Sequence, residues 1–291
     1  FSLMRENGVY VKDSSLLRLE GNTVTETQWG IRFENVQQSL LLKNQINKNR
    51  NAQLTLWSGS SNNNITENTL SDFAFANYPI YVRDSASSNN LIYRNNLQHY
   101  GDTAIDRGTN NQWSLNGQGN YWDKHRCIDN DWNGICENSY VVKFTNQDSN
   151  PFARQDGWKK SYPQITVSSA TPKIGQPMTI QLVDADMANR PYLFALDTAT
   201  TPGINLGDGR IVNLAGSSLF LASLLYGSQL GFAHTGSFDN NGVTTITWNV
   251  PALDWLHGWT FYVNIIPYDP EKTMPQTVLG TYRSIGVTLQ R

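Results

Sequence analysis

The chain has 291 residues, room for two domains, and its 22 basic and 24 acidic residues leave a formal net charge of −2. That balance excludes the basic stripe of a nucleic-acid binder, and no apolar run approaches the length of a membrane span. Charged residues make up only 16% and aromatics 11%, and with so much Asn and so little Lys the composition points outside the cytoplasm.

Phe1 enters in the middle of a pattern, so the sequence is expected to begin within a longer chain. From there to about residue 140 one phrase recurs: apolar, two spacers, Asn, one spacer, apolar. It reads Leu19…Asn22…Val24, Leu41…Asn44…Ile46, Ile65…Asn68…Leu70 and Ile92…Asn95…Leu97. The Asn residues stand 22, 24 and 27 apart, and a period of about 20–30 residues signals a solenoid.

A second ladder runs in step with the first. Residues 8–13, 30–35, 53–58 and 79–84 alternate apolar and outward side chains, the mark of half-buried strands. Val9/Val11, Ile31/Phe33, Leu54/Leu56 and Ile80/Val82 should stack inside. A third ladder, Ser15, Ser39, Asn63 and Asn90, precedes the Asn phrases. Short strands repeated every 24 residues or so predict a parallel β-helix. Asn at a repeated corner suits the bend, because it tolerates left-handed backbone and can stack amide on amide. The alternative is an antiparallel β-sandwich with coincidental spacing, and three ladders in phase weigh against it.

The outward positions of the second ladder are Tyr10 and Lys12, Arg32 and Glu34, Thr55 and Trp57, Tyr81 and Arg83. Aromatic rings offer faces for sugars, and the charged groups can bond hydroxyls. Tyr10, Arg32, Glu34, Trp57, Tyr81 and Arg83 are therefore candidate glycan-binding residues, against the plain reading of a solvated sheet face. Near the last turns, Arg83, His99, Asp102, Asp106 and Arg107 are the candidates for catalysis. They would serve a polysaccharide lyase or epimerase acting on acidic glycans. No doubled-Asp phrase and no GxSxG, HExxH, CxxC or P-loop phrase accompanies them.

The repeat fades after residue 113. Cys127 and Cys136 then enclose the loop Asp129-Asn-Asp131-Trp-Asn133-Gly134-Ile135. A disulfide between them suits an oxidising compartment. Oxygen groups at loop positions 1, 3 and 5, Gly at 6 and a carbonyl at 7 are the first half of a calcium loop. Asp129, Asp131, Asn133, the Ile135 carbonyl and Glu137 are the candidate Ca²⁺ ligands. Tyr140 stands where the closing bidentate Glu would be, and the alternative is an Asx-rich turn.

The stretch Gly119-Asn-Tyr-Trp122, the Asp/Asn/Gly loop, Tyr140-Val-Val and Asp148-Ser-Asn-Pro-Phe152 resembles the C-terminal end of the NosD-like, CASH-type right-handed parallel β-helix family. The resemblance covers roughly residues 1–155. It implies a periplasmic or extracellular solenoid, often associated with carbohydrate. A copper role would need soft or imidazole ligands, and the four Met and four His here are scattered.

The expected organisation is all-β: a right-handed parallel β-helix with its terminal loop over 1–156, a linker over 157–163, and an antiparallel β-sandwich over 164–291. In the linker Trp158 is expected to dock one domain on the other, and the sandwich to cap the open solenoid end. Strands are read at 165–168, 178–183, 192–196, 210–214, 237–239, 243–250, 259–266 and 277–289, with 217–226 open between strand and helix. Trp259, Phe261, Val263 and Ile265 should share a buried strand face. The functional expectation is a secreted, non-catalytic scaffold binding a polysaccharide or an envelope protein. The rivals are the lyase or epimerase and a structural subunit of a surface layer, fibre or larger envelope complex.

Overall fold

The computed structural model describes residues 6–71, 78–98, 104–144, 146–159 and 162–291. The chain separates into two compact units, Phe1–Asp129 with Asn133–Ser161, and Tyr162–Arg291 with Asn130–Trp132.

The first unit is a parallel β-helix with three sheet faces. The first face stacks Asn7–Ser15, Trp29–Gln37, Ala52–Trp57, Tyr78–Val82, Ile105–Asp106 and Tyr140–Phe144 in parallel, and Asn146–Asp148 folds back antiparallel on the last of them. The second face holds Arg18–Glu20, Leu40–Leu42, Asn64–Thr66 and Leu91–Tyr93, and the third runs from Thr23–Thr25 to Tyr121–Trp122. The register is the one the alternation predicts. Val9 pairs with Ile31, Ile31 with Leu54 and Leu54 with Ile80, while Val11, Phe33, Leu56 and Val82 form the neighbouring column. From the second coil onward these side chains are fully buried, because each of these coils is covered by a paired coil on both sides.

The corners work differently from the expectation. The ladder Asn residues do not hold the left-handed backbone; the residue before each does. Lys43, Glu67 and Arg94 have φ of 54°, 57° and 55°, ahead of Asn44, Asn68 and Asn95. The left-handed residue makes the bend and leaves the following Asn pointing inward. Each amide is buried, donates from Nδ2 to the Oδ1 of the next coil, and receives its neighbour's backbone N–H there as well. A second amide column runs Ser39, Asn63, Asn90 and Asn111 behind Gln38, Asn62, Asn89 and Asn110, all with positive φ. Ser15 is not in it. Ser15 ends the first strand opposite Gln37, and the N–H of Leu17 takes the place above Ser39.

All donors in a column point the same way, so each column must end on a pure acceptor. Asn120 donates its N–H (2.6 Å) and Nδ2 (3.1 Å) to Asp148 Oδ2. Asn111 Nδ2 donates to Asp106 Oδ1 at 2.9 Å. Around these carboxylates Trp113, Trp122 and Tyr140 stack, Trp122 on Tyr140 at 4.0 Å between centroids. Trp158 packs against Phe152 inside this same unit.

The second unit is built on antiparallel sheets: one of Ile165–Val167, Pro177–Val183 and Val243–Asn249, one of Thr235–Ser237, Pro191–Asp197, Thr260–Pro267 and Ile285–Thr288, and a small ribbon of Ile204–Asn205 with Ile211–Val212. Ile180, Leu182, Ile246 and Trp248 from the first sheet share one buried cluster with Phe194, Leu196, Phe261 and Val263 from the second. Ser218–Tyr226 is a helix, with the Ser217 hydroxyl capping the Leu219 N–H. Of the expected 277–289 strand only Ile285–Thr288 forms. Trp259 is 47% exposed, a correction to its expected place in the core; it precedes the strand, which starts at Thr260.

Candidate functional site

The outer side of the first face gathers the six glycan-binding candidates. Tyr10 pairs with Arg32, Arg32 with Thr55 and Thr55 with Tyr81; alongside, Lys12 pairs with Glu34 and Glu34 with Trp57. Parallel stacking puts these neighbours about 4.8 Å apart.

At that spacing rings and guanidinium groups interleave. The Arg32 guanidinium lies 4.5 Å from the Trp57 ring centroid and 5.3 Å from that of Tyr10. Arg83 lies 4.5 Å from Trp57 and 5.7 Å from Tyr81. Arg107 continues the run, 5.9 Å from Tyr81 and 4.9 Å from Phe144. Each contact joins a cation to the negative face of a ring. Beneath this layer Thr55 is wholly buried although its side chain points outward, and Thr55 Oγ1 and Arg32 Nε find no hydrogen-bond partner.

The two ends of the run differ in charge. At the upper end Glu34 accepts from the Tyr10 hydroxyl at 2.6 Å and pairs with Lys12 at 3.0 Å and Arg32 at 3.6 Å. The Tyr10 hydroxyl first, and then the Lys12 ammonium, hold the Glu34 carboxyl below its ordinary value. At the lower end no carboxylate among the described residues pairs with Arg83 or Arg107. Their neighbours in sequence are both acids, but both are engaged elsewhere. Asp84 accepts the backbone N–H groups of Ser58 and Ser87. Asp106 is buried and takes bonds from Gly108 N–H, Asn111 Nδ2, Trp113 Nε1 and Asn146 Nδ2.

Asp106 therefore leaves the catalytic candidates: it faces the solenoid interior and every bond it makes is structural. Arg83 and Arg107 are on the outer face, while His99 and Asp102 lie outside the described residues. Phe144, missed by sequence reasoning, joins the face 62% exposed. Alternation with buried Val142 would put it inside, but Asp106 holds the paired position there and Phe144 takes φ of 83°.

The terminal loop is a separate feature. Cys127 and Cys136 form a disulfide with Cα atoms 5.2 Å apart. Asp129 Oδ1 accepts from Asn133 N–H and Oδ2 from Gly134 N–H, both at 3.1 Å, and Asn133 Oδ1 accepts from Ile135 N–H at 2.7 Å. These bonds brace an Asx-rich turn. Among the described residues no three His, Cys, Asp or Glu side chains group to hold a metal ion. The cysteines, joined to each other, offer no thiolate. His125 Nε2 is bonded to the Asn138 carbonyl, and burial lowers the His125 pKa. The residues described thus do not assemble a copper site.

A family model described as "Periplasmic copper-binding protein (NosD)" matches residues 2–127. The solenoid is a NosD-like parallel β-helix, and the periplasmic or extracellular location read from the sequence agrees with that description. Among the described residues no helix is long and apolar enough to cross a membrane. Neither a curated protein nor a solved structure matches the chain.

Proposed function

We propose that the chain is a non-catalytic scaffold that presents the first face of its β-helix to a carbohydrate of the cell envelope or exterior. The observation that carries this reading is the interleaved run of Tyr10, Arg32, Trp57, Arg83, Tyr81, Arg107 and Phe144. Its side chains are fixed by contact with one another on a rigid sheet, so little rotamer freedom remains to be lost on binding. Rigid aromatic and Arg side chains are also the residue types that dominate binding energy at recognition surfaces. The burial of Asp106 takes one carboxylate away from the lyase alternative.

A soluble glycan array probed with the wild-type chain and with a Trp57→Ala, Arg83→Ala double variant tests the reading. Binding that the double variant loses supports it; absence of binding to every glycan sends the function toward an envelope protein partner. Assaying uronate polymers for unsaturated products tests the lyase alternative, and turnover would displace the scaffold reading.

Calcium in the terminal loop is a separate proposal, supported by the order of Asp129, Asp131, Asn133, the Ile135 carbonyl and Glu137. Chelation should lower the melting temperature and calcium should restore it. An unchanged melting curve would reduce the loop to a braced turn.

A further inference from the structure

We infer that the ligand of the first face is an acidic polysaccharide, with its carboxylates on Arg83 and Arg107 and its sugar rings against the aromatic groups beside them. This rests on the scaffold reading and names the ligand class for it.

The charge distribution comes first. In the register of the face the outward positions carry Lys12, Arg32, Lys143 and one carboxylate, Glu34, among the described residues, and Arg83 and Arg107 join them through their ring contacts, in a chain whose formal net charge is −2. Glu34 is spent at the upper end on Tyr10, Lys12 and Arg32. The excess positive charge therefore sits at the lower end. Each of the two arginines has an acid beside it in sequence, Asp84 and Asp106. The fold parts them: Asp84 turns to the backbone of Ser58 and Ser87, and Asp106 turns inward to four donors.

Geometry comes second. A guanidinium packed over a ring keeps its N–H edges free for a planar, two-pronged bond to a carboxylate. Arg83 is fixed over Trp57, and Arg107 over Phe144. The strands that precede the two arginines, Tyr78–Val82 and Ile105–Asp106, are adjacent coils, so the anion sites repeat along the solenoid axis with the coil spacing. A ligand with a regularly repeated carboxylate can use both at once; an isolated anion uses one. Between and beside the arginines, Tyr81 and exposed Phe144 supply apolar surface, which a simple polyanion has no use for and a sugar ring does. A neutral glycan would leave the arginines unanswered.

Isothermal titration of the wild-type chain with polygalacturonate, dextran and polyaspartate tests the inference. Polygalacturonate should bind, with affinity that falls steeply as salt is raised. Dextran and polyaspartate should bind at least tenfold more weakly. An Arg83→Ala, Arg107→Ala variant should lose at least tenfold in polygalacturonate affinity. Arg83→Lys with Arg107→Lys should recover only part of it, since the charge returns without the planar fork. Arg18→Ala, on another face and paired with Glu20, should change nothing. Unchanged melting curves confirm that each variant is folded. Dextran binding that is insensitive to both arginine variants would overturn the acidic ligand while leaving a carbohydrate scaffold. Equal binding of polyaspartate would overturn the sugar component. Binding to none of the three overturns the inference, and the glycan array then decides whether the scaffold reading survives without it.

Discussion

The two units bury different chemistry. The solenoid fills its corners with amides: Asn44, Asn63, Asn68, Asn90 and Asn95 are all buried. The C-terminal unit fills its interior with rings, Phe194 on Phe232 at 4.8 Å and Trp248 on Phe261 at 5.8 Å, both edge to face. Burying a polar group is unfavourable unless every donor and acceptor is matched. A repeat makes matching easy, because the partner of each amide is the same amide one coil further on. A fold without repeats must find a distinct partner for every polar group, and apolar rings avoid the problem. The same repetition lets a solenoid assemble a long external run of alternating rings and cations.

Mutations can sharpen this contrast. The largest effect is expected in the unit without repeats. Phe194→Ala removes a ring from a fully buried site and should destabilise that unit by about 3–5 kcal/mol in denaturant unfolding. Asn68→Leu should follow closely in the solenoid. It takes the acceptor from Asn44 N–H and Nδ2 and the donor from Asn95 Oδ1 and the Leu41 carbonyl. With each unmatched buried group worth about 1–3 kcal/mol, a loss on the order of 3 kcal/mol is expected. An Asn68→Leu protein as stable as wild type would break the claim that the amide columns hold the corners. Reducing Cys127–Cys136 frees a loop with a sequence separation of nine. By the chain-entropy relation it should destabilise by about 2.5 kcal/mol, read as a lower melting temperature in reductant.

Smaller and opposite to the usual acid response is the effect of Asp148. Burial pushes its pKa up from the ordinary 3.8 to about 6, against the pull of Trp122 Nε1, Asn120 and Asn150 N–H. A folded pKa above the unfolded one means the folded chain binds the proton more tightly. Stability from this group therefore grows as pH falls through 6, and levels off below 4. Between pH 7 and 5 the gain should be about 1 kcal/mol. Wild-type melting temperature should rise over that range relative to Asp148→Asn; parallel curves for the two would place the group's pKa near its unfolded value. The smallest effect is expected for Arg83→Ala on stability, within about 1 kcal/mol, since an exposed cation–ring contact contributes little beyond that.

The sequence by itself determined the period, the alternation and the inner columns. Val9, Ile31, Leu54 and Ile80 fall in register as their spacing requires, because periodicity is a local property that the chain carries along its length. It also placed Tyr10, Arg32, Glu34, Trp57, Tyr81 and Arg83 on one face for the same reason. Only the tertiary structure decided the fate of individual polar groups. Whether an acid is buried or exposed depends on donors far away in the chain. Asn146, 40 residues from Asp106, helps to fix that carboxylate inside. The amide columns needed a terminal acceptor, and the coil count decided that Asp106 and Asp148 would supply it. Residue type at a corner did not reveal which position turns left-handed either: Lys43, Glu67 and Arg94 do so, because the following Asn must point inward to its neighbour. Arg107 is left without the acid beside it by those same interior demands, which hold Asp106 inside and which no reading of adjacent letters could supply.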